Sequence, residues 1–455
     1  MSVVESPPRM TGRARAVLFV LCGSIFLEGV DLSMLGVALP AIRADLGLTT
    51  GTLQWVVSAY VLGYGGFMLL GGRAADLLGR RRMFVWWLGA FVVFSALGGF
   101  ATDGWLLILS RFATGVAAGF MTPAGLSLIT TGFPAGPLRN RALLWYAGTA
   151  AGGFSLGLVV GGLLTALGWR WVFFAPVVMA TAILVLALRL LAKDDRAPGG
   201  RFDVAGSLLL TTGMIALVFT VVRAPDVAWQ ASMATLALTV VLLGAFVVVE
   251  RGTAAPLVRF GLFSSAALAR ANIATVLFAG SFFGFQFIAV LYLQELRGWS
   301  ALETGIGLLV VGIDAVLAPT VTPRLVDRFG NPRVLVAGTA VAVAGYALFV
   351  SIPADAGYWS SVFPTLVLLG VAFTLVYGPL TIAATDGVAD HEQGLASGVW
   401  NMAFQIGGAL GLAGVTALAT APADPLTGFH RALLLPVAAT AVALAVLATG
   451  LRRRA

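Results

Sequence analysis

The chain has few of the side chains with which soluble enzymes do chemistry. Among 455 residues there are one cysteine and two histidines, and only 11% of the chain is charged. A single thiol, Cys22, excludes an intrachain disulfide; it lies in an apolar run and reads as packing. His391 and His430 fall at the edges of apolar runs, so no His/Cys metal site is expected. The chain also lacks an HExxH pair and a phosphate-binding Gly-Lys-Ser loop. No convergent nucleophile, base and metal cluster points to an enzyme. A nucleotide-driven pump would need its ATPase from another chain. Polar stretches longer than about 20 residues are missing as well, which weighs against a sensor with an appended soluble domain.

What is present is apolar. Hydrophobic residues make up 59% of the chain, and the mean hydropathy is +0.97. Apolar runs of about 20 residues recur along the whole length, each able to cross a bilayer core of roughly 30 Å as a helix. The expectation is an all-α polytopic membrane protein. Fourteen spans are predicted near 16–41, 53–71, 83–101, 104–131, 141–166, 171–191, 204–222, 229–249, 268–293, 303–321, 334–352, 359–383, 393–419 and 430–450. The first follows a basic tail (Arg9, Arg13, Arg15), as in a signal peptide. Its length and the lack of a small-residue cleavage site assign it as a span.

The net charge of +8 would suit nucleic acid, but the basic residues cluster in short loops between apolar runs. No nucleic-acid partner is therefore expected. All but one of the basic residues are arginine, the exception being Lys193. With abundant Ala and Gly, that usage is a coding bias of GC-rich bacterial genomes. The N-terminal tail, alternate loops and the C-terminal tail hold 22 basic residues against 5 in the opposite loops. By the positive-inside rule both termini are cytoplasmic, and the expected location is a bacterial inner membrane. One cytoplasmic loop, TDGVADHEQG at 385–394, is acidic and breaks the trend.

Two short segments repeat. GRAADLLGRRR (72–82) and PRLVDRFGNPR (323–333) align without gaps at an offset of 251 residues, placing Asp76 with Asp327, Gly79 with Gly330 and Arg82 with Arg333. A six-helix duplication at this loop length would repeat after roughly 190 residues, and the excess fits two inserted helices. The expected plan is a six-helix bundle over 1–197, two inserted helices over 198–258 and a second six-helix bundle over 259–455. Parallel halves with a central site between them are a transporter plan. The glycines can end a helix and turn the chain. The arginines can hold the loop at an anionic leaflet. Both segments could equally be topology anchors alone.

These residues resemble the major facilitator superfamily, specifically its fourteen-span drug:proton antiporters, over nearly the whole chain. GRAADLLGRRR is similar to the loop signature after span 2, with Gly72, Asp76, Gly79, Arg80 and Arg81 in its places; the resemblance implies a conformational latch, with Asp327, Gly330 and Arg333 as its second copy. LSRFATGVAAG (109–119) is similar to the span 4 signature, in which the intramembrane arginine, here Arg111, is tied to proton transfer. Thr114 stands where the family often has Gln. GFSLGLVVGG (153–162) matches the antiporter signature of span 5 at Gly153, Gly157, Gly161 and Gly162, with Leu158 in place of its proline. WRWVFF (169–174), RFDVAGSLLL (201–210) and GLASGVWNMAFQIGGALG (394–411) also resemble stretches of this branch. Asp31, ahead of Ala38-Leu39-Pro40, occupies the acid position of the span 1 signature; Glu28 does not belong to that signature.

An intramembrane charge costs at least roughly 2.5–3.5 kcal/mol on insertion scales and should face a cavity or a partner. Glu28 and Asp31 stand three residues apart on one helix face, with Ser24 a turn earlier. Two carboxylates this close in low dielectric resist double ionisation, a property a proton carrier needs. The expected coupling set is Asp31, Glu28 and Arg111. Asp31 could instead make a structural bond to a neighbouring helix, and Glu28 could recognise a cationic substrate or hydrate the cavity. Asp314, mid-span in span 10, is a candidate second proton or cation site, or a helix–helix hydrogen bond. The resemblance implies that spans 1, 4, 9 and 12 line the cavity. Phe282, Phe285 and Gln286 of span 9 and Tyr377 of span 12 are then candidate substrate contacts, with Thr374, Asn401 and Gln405 as weaker ones; such Phe residues more often face lipid or neighbouring helices.

The expected function is proton-coupled efflux of hydrophobic and in part cationic small molecules, such as drugs or antibiotics. The expected partners are the substrate, protons and the lipid bilayer, with the chain a monomer. No cofactor is expected beyond the proton gradient. The alternatives are a narrow exporter of one endogenous secondary metabolite, a proton-coupled uptake transporter, and a membrane sensor.

Overall fold

A computed structural model describes residues 10–133, 137–192, 203–223, 227–253, 265–350, 352–353, 357–386, 388, 393–420 and 424–452. The first six helices are α1 (Gly12–Leu46), α2 (Thr50–Leu78), α3 (Arg80–Gly99), α4 (Gly104–Gly132), α5 (Pro137–Leu167) and α6 (Trp171–Leu190). Two more, α7 (Val204–Arg223) and α8 (Trp229–Gly252), lead to α9 (Ala266–Leu291). The rest are α10 (Ala301–Leu308), α11 (Asp314–Thr320), α12 (Thr322–Phe329), α13 (Asn331–Val350), α14 (Phe363–Thr385), α15 (Gln393–Thr420) and α16 (Pro425–Arg452). No strand occurs among the described residues.

The helix ends follow from local chemistry. Orphan N–H groups at a helix start are satisfied by a preceding hydroxyl or carboxylate. Thr49 accepts from the Thr52 N–H, and Asp103 from the Leu106 N–H at 2.9 Å. Ser300 and Glu303 close a reciprocal capping box at the start of α10. Between α2 and α3 the chain turns at Gly79 with φ of 101°, and between α12 and α13 at Gly330 with φ of 81°. An L side chain is strained at either position, so the two copies of the repeat share one backbone device.

Twelve of the described helices are long and apolar enough to cross a membrane, and shorter apolar helices run over Ala205–Leu217 and Ala301–Ile313. The latter corrects the sequence expectation of one continuous helix over 303–321. There α10 gives way to a tighter turn over Leu309–Ile313, then α11, then α12. Gly305, Gly307 and Gly312 weaken helix propagation through this stretch, and Pro323 opens α12.

Helices α1–α6 pack as one group, chiefly α1 on α5, α2 on α4 and α3 on α4 and α6. Helices α9–α16 pack as another, with α9 on α15 and α16 and α13 on α14 and α16. The groups meet along two seams, α2 against α15 and α5 against α10. Helix α7 lies on the first seam, touching both α2 and α15, and α8 packs on α7. The tightest crossings use glycine, because lipid gives helices no solvent-driven reason to associate and close backbone packing replaces it. Gly115 of α4 lies on the Tyr60 carbonyl of α2, and Gly411 of α15 lies on Gly280 of α9.

Candidate functional site

Helix α1 places Glu28 and Asp31 three residues apart, and both side chains are buried. The Arg111 guanidinium of α4 donates from Nη1 to the Asp31 Oδ2 at 2.8 Å, with the two side chains only 1% and 2% exposed. The guanidinium carbon also sits 4.3 Å from the centre of the Tyr60 ring of α2. The Arg111 Nε and Nη2 make no hydrogen bond among the described residues, so the Tyr60 ring face is what balances that side of the cation. Two opposite charges buried at hydrogen-bonding distance offset much of each other's desolvation.

Glu28 has a different environment. The Tyr64 hydroxyl of α2 donates to its Oε2 at 2.9 Å, and its Oε1 is hydrogen-bonded to the Thr122 hydroxyl of α4. The two hydroxyls are 3.2 Å apart. No cation pairs with Glu28 among the described residues. Its carboxyl is therefore held by neutral hydroxyls alone, while Asp31 one turn on is held by a cation. Tyr60, Tyr64 and Thr122 were not singled out in the sequence; the only signal was two tyrosines four apart in AYVLGYGG.

The face of α1 that carries Ser24, Glu28 and Asp31, from which the sequence let Glu28 meet a cationic substrate or hydrate the cavity, does not border the crevice between the helix groups. Both acids point between α1, α2 and α4, inside the first group, because their partners lie there. The Ser24 hydroxyl bonds back to the Leu21 carbonyl at 2.8 Å. The cavity begins on the adjoining face of α1, at Leu32 and Ser33. It is an apolar crevice of about 490 Å³, its open mouth included, bounded by α1, α2, α5, α9 and α15. Phe154 faces Phe283 and Phe287 across it, and Ser33 and Gln286 are its polar side chains.

Of the span 9 candidates, Gln286 reaches this crevice but Phe282 and Phe285 do not line it. Phe285 packs between Tyr346 and Phe349 of α13, at 5.4 and 5.1 Å between ring centres. Phe282 lies against Phe373 of α14 at 4.7 Å. At about 100° per residue Phe283, Gln286 and Phe287 share the open side of α9, Phe285 turns away from it, and Phe282 lies at its edge, 6.0 Å from the Phe154 ring. Tyr377 stacks on Phe373 and meets Trp400 and Phe404 of α15 edge-on. Asp314 is buried at the start of α11, within electrostatic range of Tyr377. Thr114 donates to the Ser110 carbonyl of its own helix.

The span 5 glycines divide into two roles. A Cβ at Gly153 would come 2.6 Å from the Phe26 carbonyl, one at Gly157 2.8 Å from the Val30 α carbon, and one at Gly161 2.6 Å from the Met34 α carbon. Those three fix α5 to α1. A Cβ at Gly162 would instead meet the Ala301 carbonyl of α10 at 2.6 Å, and the Leu158 carbonyl lies under Gly305. The signature thus sits at the seam between the groups. At the same end Arg43 pairs with Glu295 at 2.7 Å, and Gln294 donates to the Val37 carbonyl at 2.9 Å.

The two repeated loops lie at the opposite end. Gly72 faces Pro123 of α4. Arg80 is half-buried at the start of α3. Arg81 donates to the Leu191 and Leu188 carbonyls at 3.0 and 3.1 Å, which closes the end of α6. In the second copy Asn331 donates to the Pro379 carbonyl of α14 at 3.0 Å. Asp327 and Arg333 are exposed. The Asp76 side chain, His391 and most of the acidic loop after Asp386 lie outside the described residues. Among the described residues no group of three or more His, Cys, Asp or Glu could hold a metal ion.

Comparison with known proteins shows the fold and the family. In solved structures the fold matches a POT family transporter, PepTSo, with a TM-score of 0.73 over 98% of this chain and all of that one, at 15% identity. It also matches the nucleoside transporter NupG, with a TM-score of 0.65 at 14% identity over 96% of this chain and 99% of that one. In sequence, the chain is 36% identical to the cephamycin export protein CmcT of Amycolatopsis lactamdurans, over 89% of this chain and 84% of the relative. It is 34% identical to the lincomycin resistance protein of Streptomyces lincolnensis, over 97% and 93%. It is 36% identical to a puromycin resistance protein of Streptomyces alboniger, over 89% and 81%. The sequence model of the Major Facilitator Superfamily matches residues 21–412, and this membrane transporter belongs to that superfamily.

Proposed function

We propose that the chain is a proton-coupled secondary efflux transporter, an antiporter that exports hydrophobic and in part cationic small molecules by alternating access. The observation that carries this reading is the adjacency of two unlike sites. A buried carboxyl held only by hydroxyls, Glu28, lies one helical turn from an apolar crevice between the two helix groups. A carboxyl in such surroundings can alternate between charged and neutral, and the crevice suits an apolar or aromatic molecule. Asp31 and Arg111 are the balanced pair beside it. Relatives named for export of, or resistance to, single antibiotics support the outward direction.

In this reading the six-helix bundles 1–197 and 259–455 rock about the crevice, with 198–258 inserted between them. Loops 72–82 and 323–333 latch the cytoplasmic end. The α5–α10 seam and the Arg43–Glu295 pair close the other end. The chain crosses the bacterial inner membrane fourteen times with both termini in the cytoplasm, counting the two shorter apolar helices as spans. It works as a monomer, uses the proton gradient and no cofactor, and performs no covalent step. A second reading, a narrow exporter of one secondary metabolite, is favoured by the single antibiotic in each of those relatives' names.

The test is an antibiotic panel in a pump-deleted host, with and without a protonophore. Protonophore-sensitive resistance to several unrelated compounds supports the first reading, and resistance to one supports the second. Unchanged susceptibility to every compound, or resistance that survives the protonophore, contradicts proton-driven efflux of such drugs.

A further inference from the structure

The hydrogens around Glu28 can be counted, and the count is informative. Four oxygens meet there besides the Glu28 Oε1 and Oε2 themselves: the Tyr64 hydroxyl, the Thr122 hydroxyl, the Ala118 carbonyl and, one turn on, the Asp31 Oδ2 that accepts from Arg111. Tyr64 and Thr122 carry one hydroxyl hydrogen each. Thr122 stands 3.0 Å from the Ala118 carbonyl four residues earlier in α4 and also touches Glu28, so it has two acceptors for one hydrogen.

When Glu28 is ionised it has no hydrogen of its own, and both hydroxyls must donate to it. Thr122 then withdraws its hydrogen from Ala118. When Glu28 is protonated, its own O–H can point to the Thr122 oxygen, and Thr122 returns its hydrogen to the Ala118 carbonyl. Tyr64 donates to the remaining Glu28 oxygen in both cases. One proton arriving on Glu28 therefore turns one hydroxyl through one hydrogen bond, and the number of bonds to Glu28 is conserved.

The turn of α4 that receives this signal is already weak. Pro123 follows Thr122 directly and has no N–H, so the Gly119 carbonyl loses its usual helix partner. A threonine hydroxyl bonded back to a carbonyl four residues earlier adds to helix bending. Gly119 in the same turn lies against the backbone of Tyr64, where a Cβ would come 2.8 Å from the Tyr64 carbonyl. A change in the bend of α4 is thus delivered to α2, one face of which lines the crevice and the seam with α15.

We propose that Thr122 is a positioning residue that converts the protonation state of Glu28 into the hydrogen bonding of α4 at its proline kink, with Tyr64 as the fixed donor on the other oxygen. This rests on the proton-coupled reading only in taking Glu28 as the group that titrates. The other titratable or charged side chains facing Glu28 are Asp31 of α1, Tyr60 and Tyr64 of α2, Arg111 of α4 and Tyr146 of α5. Asp31 is itself paired with Arg111.

The test is infrared difference spectroscopy of the purified full chain in lipid nanodiscs, titrated with pH. The protonated carboxyl band that disappears in Glu28→Gln is followed in the variants. Thr122→Val, which keeps the shape and removes the hydroxyl, should move the midpoint of that band upward by about one pH unit, because the ionised form has lost a charge-assisted donor. Thr122→Ser should restore the wild-type midpoint. Tyr64→Phe should move it in the same direction and serves as the second variant should Thr122→Val fail to fold. A Thr122→Val midpoint equal to wild type overturns the proposal, as does a Thr122→Ser midpoint displaced as far as that of Thr122→Val. A band unaffected by Glu28→Gln overturns it too. The antibiotic panel reports separately: protonophore-insensitive export with a displaced Thr122→Val band would refute proton-driven efflux and leave the switch standing.

Discussion

At the crossing of α1 and α4 the first helix group holds an ion pair, Asp31 with Arg111, flanked by a hydroxyl-capped acid. At the corresponding crossing in the second group, α9 with α14, the structure holds Phe282 against Phe373 at 4.7 Å, continued by Phe278, Tyr377, Trp400 and Phe404. The two groups share a packing plan, a repeated loop and a positive-φ glycine turn, yet the α1–α4 crossing is ionic and the α9–α14 crossing is aromatic, with the buried acid Asp314 near its Tyr377. An ionic centre changes its energy with pH; an aromatic one does not, and it offers polarisable ring faces instead. In the proposed reading coupling falls to the first group, while both groups wall the crevice, the second through Phe283, Gln286 and Phe287.

The largest expected effect comes from breaking the ion pair on one side only. Arg111→Ala leaves the Asp31 carboxylate buried without a cation, which costs about 3–5 kcal/mol for pairs of this kind. Thermal melting of the purified protein should show a large loss. A double variant, Asp31→Asn with Arg111→Gln, should melt closer to wild type than Arg111→Ala does. Its recovery is the sign that charge, and not packing, is what α1 and α4 share. The aromatic centre should behave otherwise. Phe282→Ala leaves a void worth about 3 kcal/mol, with the same loss at every pH where the protein folds. A pH-dependent loss there would remove the distinction between the groups.

A smaller effect tests the seam where the groups meet. Gly162→Ala places a methyl against the Ala301 carbonyl and should cost roughly 1–3 kcal/mol of the closed arrangement at that end. Spin labels on either side of the α5–α10 seam should report a longer distance. The smallest is Arg43→Ala. The Arg43–Glu295 pair is over a third exposed on the arginine side, so its loss should cost only about 0.2–1 kcal/mol. The same spin-label distance should barely change, and any change should fade at high salt.

Much of this architecture was legible in the sequence, and the limits have physical causes. Long apolar runs fix helices in lipid with little ambiguity, and the paired GRAADLLGRRR and PRLVDRFGNPR segments gave the internal repeat. The break in span 10 was hidden because hydropathy measures partitioning, not helix continuity; the glycines of α10 and Pro323 carried that information instead. At the site, Glu28, Asp31 and Arg111 were visible because charge in an apolar run is costly and conspicuous. Tyr64 and Thr122 were not, since hydroxyl side chains are common in membrane helices and most bond to their own backbone, as Thr114 does here. The side of α9 that faces the crevice was left open by the sequence. An aromatic run such as SFFGFQF puts rings on every face, and only the packing of α13 and α14 decides which of them turn inward.

The central claim is that export is driven through Glu28 in the first group. The most direct measurement is antibiotic accumulation in a pump-deleted host expressing the wild type or Glu28→Gln, with and without a protonophore. Glutamine keeps the shape; its carbonyl oxygen can accept from Tyr64 while its NH2 donates to the Thr122 oxygen, so the fold should persist. The account predicts lowered accumulation with the wild type, restored by the protonophore, and no export by Glu28→Gln despite normal membrane expression. Protonophore-sensitive export by Glu28→Gln at the wild-type level would contradict it.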